Sequence, residues 1–184
     1  MSTPKTTSKI KIFGSPVLRE KSRTVSRVGD EHRQRLSEMA QIMYSSAGIG
    51  LAAPQIGVAE AMIVVDVGSG LYKVINPRIV KRAGRQANQE GCLSVPGICI
   101  KIRRARKVTV KGLDENAKPV TIDAEGLLAC VFQHEIDHLK GKLIVDYASL
   151  IDKIKIKGKL QQLKANSKNE ELPRSETGSC RLQL

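Results

Sequence analysis

Apolar residues recur at helical spacing in the first third of the chain, at Leu36, Met39, Ala40 and Met43. This pattern predicts a helix that begins near Asp30, a residue type suited to capping, and ends at Gly48 and Gly50. The residues before it, 10–17, read as extended, punctuated by Gly14-Ser15-Pro16. After Ala61 the pattern changes to short strand-like runs at 62–67, 73–76, 107–112 and 119–123. In 107–112, Val108 and Val110 alternate with Thr109 and Lys111. Such runs predict mainly antiparallel strands joined by tight turns such as Asp114-Glu115-Asn116. Helical spacing returns over 124–140, with Gly141 as its stop. There Leu127, Val131, His134 and His138 fall on one stripe, so two imidazoles extend an inward-facing apolar edge. Polar groups so placed need partners. A third helix is predicted over 149–164, with Ile156, Leu160 and Leu163 on one face; Ile154 lies off that face, and Gly158 weakens the helix. The expected fold class is α+β: mainly antiparallel strands around a central helix, with an N-terminal and a C-terminal helix. Residues 1–166 are expected to form one domain, and the unpatterned polar stretch 167–184 a disordered tail.

Composition narrows the function classes. The chain has 184 residues and no apolar run long enough to span a bilayer about 30 Å thick. Its N-terminus also lacks an apolar stretch of signal-peptide length. The expected compartment is the cytoplasm of a bacterial-type cell, with an organellar origin left open. Cys92, Cys99, Cys130 and Cys180 lie far apart, which predicts reduced thiols and permits a thiolate metal ligand. The net charge of +13 is spread along the chain, 14 basic against 7 acidic residues in 1–100 and 17 against 11 in 101–184. That charge favours polyanions but says nothing of fold. With two Phe, three Tyr and no Trp, base-stacking platforms have little material. Neither DNA nor a membrane is an expected partner.

The strongest chemical signal is His134-Glu135-Ile136-Asp137-His138. Two histidines four residues apart on a helix reach one metal ion, and the intervening Glu135 sits beside it as an acid or base. A catalytic site of this kind takes three protein ligands and keeps one position open. The following residues, Leu139-Lys140-Gly141-Lys142-Leu143, offer no third histidine. His32 falls on the charged side of the first helix. Cys92 lies in the irregular segment Gln89-Glu90-Gly91-Cys92-Leu93-Ser94-Val95-Pro96-Gly97, where a buried structural cysteine and a ligand are equally compatible with the residues. A third segment, Gly48-Ile49-Gly50-Leu51-Ala52-Ala53-Pro54-Gln55, fits a loose dinucleotide-binding pattern. No strand precedes it and Pro54 would break the helix that pattern needs. The remaining readings are a structural loop, or a close-approach loop in which small residues admit substrate backbone and Gln55 offers an amide.

Taken together in chain order, Gly-Ile-Gly-Leu-Ala-Ala-Pro-Gln, Glu-Gly-Cys-Leu-Ser and Gln-His-Glu-Ile-Asp-His-Leu resemble peptide deformylases. Weaker resemblance covers most of 10–165. It implies a metal-dependent hydrolase that removes the formyl group from formyl-methionine of nascent polypeptides and releases formate. It implies Cys92, His134 and His138 as metal ligands, Glu135 as the catalytic carboxylate, and the Gln55 side chain with the Leu93 backbone N–H as the oxyanion site. The implied cofactor is one divalent ion, Fe²⁺ physiologically, with Zn²⁺, Ni²⁺ or Co²⁺ also compatible with two imidazoles and a thiolate. Ile49, Gly50, Cys130 and Val131 are the candidates for substrate binding, and Glu90 with Arg104 for an ion pair behind the ligands. The segment 98–103 gives no clear substrate contact. Between Lys153 and Lys168 lie six lysines and no acidic residue. That run reads as a solvated helix face or as a contact to ribosomal RNA. The rival functions are an endopeptidase using the same His-Glu-x-x-His helix, against which the missing downstream histidine speaks, and a non-catalytic basic RNA-binding protein with a structural, fully enclosed metal.

Overall fold

The computed structural model describes residues 9–168. A 16-residue helix α1 (Asp30–Ser45) is followed by strands β1 (Gly50–Ala52), β2 (Met62–Val65), β3 (Tyr72–Ala83), β4 (Gln86–Glu90), β5 (Ile100–Arg104), β6 (Lys107–Leu113) and β7 (Pro119–Glu125). Helix α2 (Gly126–His138) and helix α3 (Leu150–Lys168) complete the described residues, with short 3-10 turns at Pro16–Arg19, Ala53–Ile56 and Ile144–Tyr147. Strands pair in the order β1-β2-β3-β6-β7, all antiparallel, and β4 with β5 form a separate two-stranded ribbon. The expected α+β class and the central helix are what the structure shows.

Two helices sandwich the five-stranded sheet. On one face Leu36, Met39, Ile42 and Met43 of α1 pack against Met62, Val64 and Ile75. On the other, Ala129, Val131, Phe132 and Ile136 of α2 pack against Ile63, Val65, Val108 and Val110. Period two sends alternate residues of β2 to opposite faces, so Met62-Ile63-Val64-Val65 is buried throughout. A third cluster joins the ribbon to the C-terminal elements, with Ile100, Ile102 and Cys92 against Leu143, Ile144 and Leu163.

Several boundaries differ from the sequence reading. Asp30 is the first helical residue of α1 and Gly29 its cap; His32 Nδ1 accepts a hydrogen bond from Gly29 N at 3.1 Å, so this histidine is buried rather than solvated. Segment 10–17 is not a strand. It still ties the site together: Lys11 N donates to Gln55 O and Phe13 N to Ser94 O, both at 2.7 Å. Helix α2 begins only at Gly126, whose φ of +62° lets the chain pass from β7 straight into the helix. Leu127 is therefore 38% exposed and leaves the inward stripe that Val131, His134 and His138 keep. Helix α3 buries Leu163 and leaves Ile154 exposed, as the stripe predicted. Cys92 and Cys130 are free thiols, whereas Cys99 is disulfide-bonded, contrary to the expectation of four reduced cysteines. Of the expected tail 167–184, residues 167 and 168 belong to α3, and 169–184 lie outside the described residues.

Candidate metal centre

Helix α2 carries its two histidines one turn apart, with ring centroids 4.9 Å from each other. Their Nε2 atoms approach to 3.2 Å, and the Sγ of Cys92 lies 3.3 Å from His138 Nε2. The ligand atoms of Cys92, His134 and His138 all fall within 4.8 Å of one another, and all three residues are buried. A tetrahedral ion with bonds of about 2.0–2.3 Å separates its ligand atoms by roughly 3.3–3.6 Å, so two of the three donor pairs already stand near coordination spacing. The turn that presents Cys92 is closed by Val95 N donating to Cys92 O at 2.9 Å, with Leu93 and Ser94 between them.

The electrostatics favour a cation here. Burial pushes the Cys92 thiol far up, so a thiolate at this position needs a positive partner. Burial also pulls both imidazoles down, His138 especially, which keeps them neutral and able to donate a lone pair. His134 Nδ1 lies 3.0 Å from Glu90 Oε2, an arrangement that fixes the proton on Nδ1 and turns Nε2 toward the cluster. Among the described residues, both Glu135 carboxylate oxygens and His138 Nδ1 are buried without a hydrogen-bond partner. Orphaned polar groups of this kind await a ligand or water. Burial raises the Glu135 carboxyl well above the ordinary range; Arg104 opposes that shift, and the charges of Glu90 and Asp137 add to it.

Gln55 is fully buried in the 3-10 turn after β1. Its Oε1 accepts from Ala52 N at 2.7 Å, which decides the amide orientation and leaves Nε2 3.7 Å from Cys92 Sγ and 3.3 Å from Ser94 Oγ. An amide donor thus stands beside the metal cluster, next to the Leu93 turn. Gly50 in β1 passes so close to α2 that a Cβ there would overlap Glu135 Oε1 and sit 2.8 Å from Val131 Cγ1. Gly50→Ala is expected to displace Glu135, with a cost of about 1–3 kcal/mol typical of overpacking and a fall in turnover larger than the fall in stability; paired denaturation and rate measurements check this. Ile49 packs on the α2 side of the core.

Glu90 and Arg104 form the anticipated ion pair, with Nε to Oε1 at 2.5 Å and Nη2 to Oε2 at 2.8 Å. Cys130 joins this group: its thiol donates to Glu90 Oε1 at 3.1 Å, and burial pushes it up to about 12. Burial alone would raise the Glu90 carboxyl, but hydrogen bonds from His134 and Arg104 and the Arg104 charge outweigh it and hold it at about 2. A carboxyl held below its unfolded value contributes stability that is present above the unfolded pKa, about 4.5, and is lost as pH falls toward 2. In the metal-free protein, the stability gap between wild type and Glu90→Gln is expected to narrow below about pH 4.5, read from denaturant midpoints. A gap that stays constant from pH 6 to 3 would show that the pair does not act through the Glu90 charge. Sequence reasoning did not find Asp137 as part of this network, nor Tyr147: Arg104 Nη1 and the Tyr147 hydroxyl donate to Asp137 Oδ2 at 2.9 and 2.7 Å.

The polypeptide deformylase family model matches residues 7–154. The chain is 49% identical over 143 residues to a peptide deformylase of Carboxydothermus hydrogenoformans, covering 78% of this chain and 94% of that one. It is 50% identical over 139 residues to one of Halothermothrix orenii, covering 74% and 90%. The chain belongs to the polypeptide deformylase family. Among solved deformylases, that of Legionella pneumophila superposes with a TM-score of 0.81 at 39% identity, over 90% of this chain and 98% of that one. The Synechococcus elongatus deformylase in complex with actinonin gives 0.78 at 39% identity, over 91% and 90%. Its Cys/His/His donor set suits the divalent ion, Fe²⁺ or Zn²⁺, of a deformylase.

Proposed function

We propose that this deformylase hydrolyses the formyl amide of formyl-methionyl nascent chains with Glu135 as acid/base, and with Gln55 Nε2 and the Leu93 N–H as donors to the formyl oxygen. The observation that carries this reading is the buried convergence of Cys92 Sγ and both histidine Nε2 atoms beside a Glu135 whose two oxygens have no partner. When bound, a divalent ion supplies Lewis-acid chemistry, polarising a carbonyl and making water a competent nucleophile near neutral pH. Glu135, whose two oxygens are buried and unpartnered among the described residues, is placed to accept a proton from an attacking water and pass it to the departing α-amine. Gln55, its oxygen anchored on Ala52 N, keeps its N–H groups toward the charge that develops on the formyl oxygen. Gly50 lets β1 pass close against Glu135, because any side chain there would meet the Glu135 carboxylate.

Three ligands, rather than four, gather at the described centre, which favours an open catalytic site over an enclosed structural one. Formate release from formyl-Met-Ala-Ser tests the proposal: release is expected from the formylated peptide, none from its acetylated counterpart, and no internal cleavage of the unformylated one. Cleavage of the unformylated peptide would favour the endopeptidase instead.

The substrate class places the enzyme in the cytoplasm, where nascent chains emerge, and the bacterial origin of these sequence relatives supports this. Among the described residues no helix is long and apolar enough to cross a membrane. Exposed lysines of α3 supply a surface for ribosomal RNA. Replacing Lys155, Lys157 and Lys159 with Glu is expected to weaken co-sedimentation with ribosomes and to leave turnover of the short peptide unchanged. Equal co-sedimentation at low salt would exclude this contact.

A further inference from the structure

We propose that Asp137 and Tyr147 are positioning residues for the His134 ligand, acting at a distance through Arg104 and Glu90. This rests on the reading of His134 as a metal ligand. A continuous path runs from the surface to the ligand ring. The Tyr147 hydroxyl donates to Asp137 Oδ2 at 2.7 Å, Arg104 Nη1 donates to the same oxygen at 2.9 Å, and Arg104 grips both oxygens of Glu90. Glu90 Oε2 in turn meets His134 Nδ1 at 3.0 Å. Arg104 is thus held at both ends of its guanidinium, with its charge also 5.4 Å from the centroid of the Tyr147 ring.

The surroundings explain why the outer end matters. Arg104 borders a surface cavity of about 260 Å³ that Arg82, Arg103 and Lys140 also line, and Asp137 is the one acidic residue in that lining. Arg82, Arg103 and Lys140 add positive charge on this side, where Asp137 alone in the lining offsets it, while Glu90 holds the opposite edge of the guanidinium. Without Asp137, Arg104 loses its second anchor and the Glu90 carboxylate can rotate; His134 Nε2 then loses its aim. Tyr147 is 39% exposed, so water can satisfy its hydroxyl and the fold does not need this hydrogen bond. Its effect should therefore appear in the hold on the ion and not in stability.

The test is the rate at which Zn²⁺-loaded protein surrenders its ion to a chelator, compared with the thermal midpoint of the metal-free form. Glu90→Gln, which touches the ligand directly, should speed release by about 10–100-fold if the affinity loss typical of such partners appears in the off-rate. Tyr147→Phe and Asp137→Asn are expected to speed it by about 3–10-fold, below that range, with the Tyr147→Phe midpoint unchanged. Asp137→Glu, which keeps the charge, is expected to recover slow release. Wild-type release rates in both Tyr147→Phe and Asp137→Asn would overturn the proposal, as would a Tyr147→Phe effect confined to the thermal midpoint. A wild-type chain that takes up no ion would instead overturn the metal-site reading itself.

Discussion

Glu135→Gln is expected to lower kcat/KM for a formyl-methionyl peptide by about 10²–10⁴, the range typical of a positioned acid/base, while metal content stays at the wild-type level. The substitution keeps the side chain's size in a site where a single added carbon on Gly50 would collide with it. It removes only the ability to take and give a proton. Both Glu135 oxygens are buried and unpartnered among the described residues, so no structural hydrogen bond is lost. Steady-state kinetics with metal analysis on the same sample checks both halves. Activity retained within tenfold would move the acid/base role to another group, and a parallel loss of metal would turn Glu135 into a structural residue.

Cys92→Ala is expected to abolish both metal retention and formate release, with the fold preserved. Among the described residues Cys92 is the one free thiol that meets the two imidazoles: the Cys130 thiol is engaged by Glu90, and Cys99 is disulfide-bonded. Removing it leaves a two-nitrogen site from a single helix turn, and the expected fall in affinity exceeds the roughly 10–100-fold cost of losing an outer partner. Adding back Fe²⁺, Ni²⁺ or Co²⁺ in excess should leave most activity unrecovered. Full recovery at stoichiometric metal would remove the sulfur from the ligand set. Side-chain volume changes little, and Cys92 sits at the edge of the cluster around Ile100, Ile102 and Leu143, so the far-ultraviolet spectrum should remain that of wild type.

What the sequence made legible follows from how each element meets the core. Helices α1 and α2 were readable because each presents one apolar face to a sheet, and the two histidines announce themselves by sharing the face that Val131 occupies. Strand β2 was readable as an unbroken apolar run because both its faces are covered. Strand β4, Gln-Ala-Asn-Gln-Glu, was not, since its inward residue Glu90 is charged and is stabilised by Arg104, Cys130 and His134, which lie 14, 40 and 44 positions away. Its partner β5 carries Ile100 and Ile102 at period two, but five residues ending in two arginines gave too short a signal. Leu127 was misplaced because the helix was expected to start at about residue 124, which would put Leu127 within its body rather than in its first turn. In fact β7 runs directly into α2, and the first turn faces solvent. Of the proposed site, the two histidines and Glu135 came from local spacing, and Cys92 came only from the family resemblance. The outward extension through Asp137 and Tyr147 had no sequence signal, because Asp137 reads as one more polar residue inside a motif and Tyr147 as a lone aromatic after it.

The most direct test of the account is an anaerobic titration of metal-free protein with Co²⁺, following thiolate-to-metal absorption and formate release in the same cuvette. Both signals are predicted to rise together and to saturate at one ion per chain, with the absorption lost in Cys92→Ala. Formate release that precedes metal uptake, or absorption that persists without Cys92, would contradict the claim that one ion held by Cys92, His134 and His138 makes this site a hydrolase.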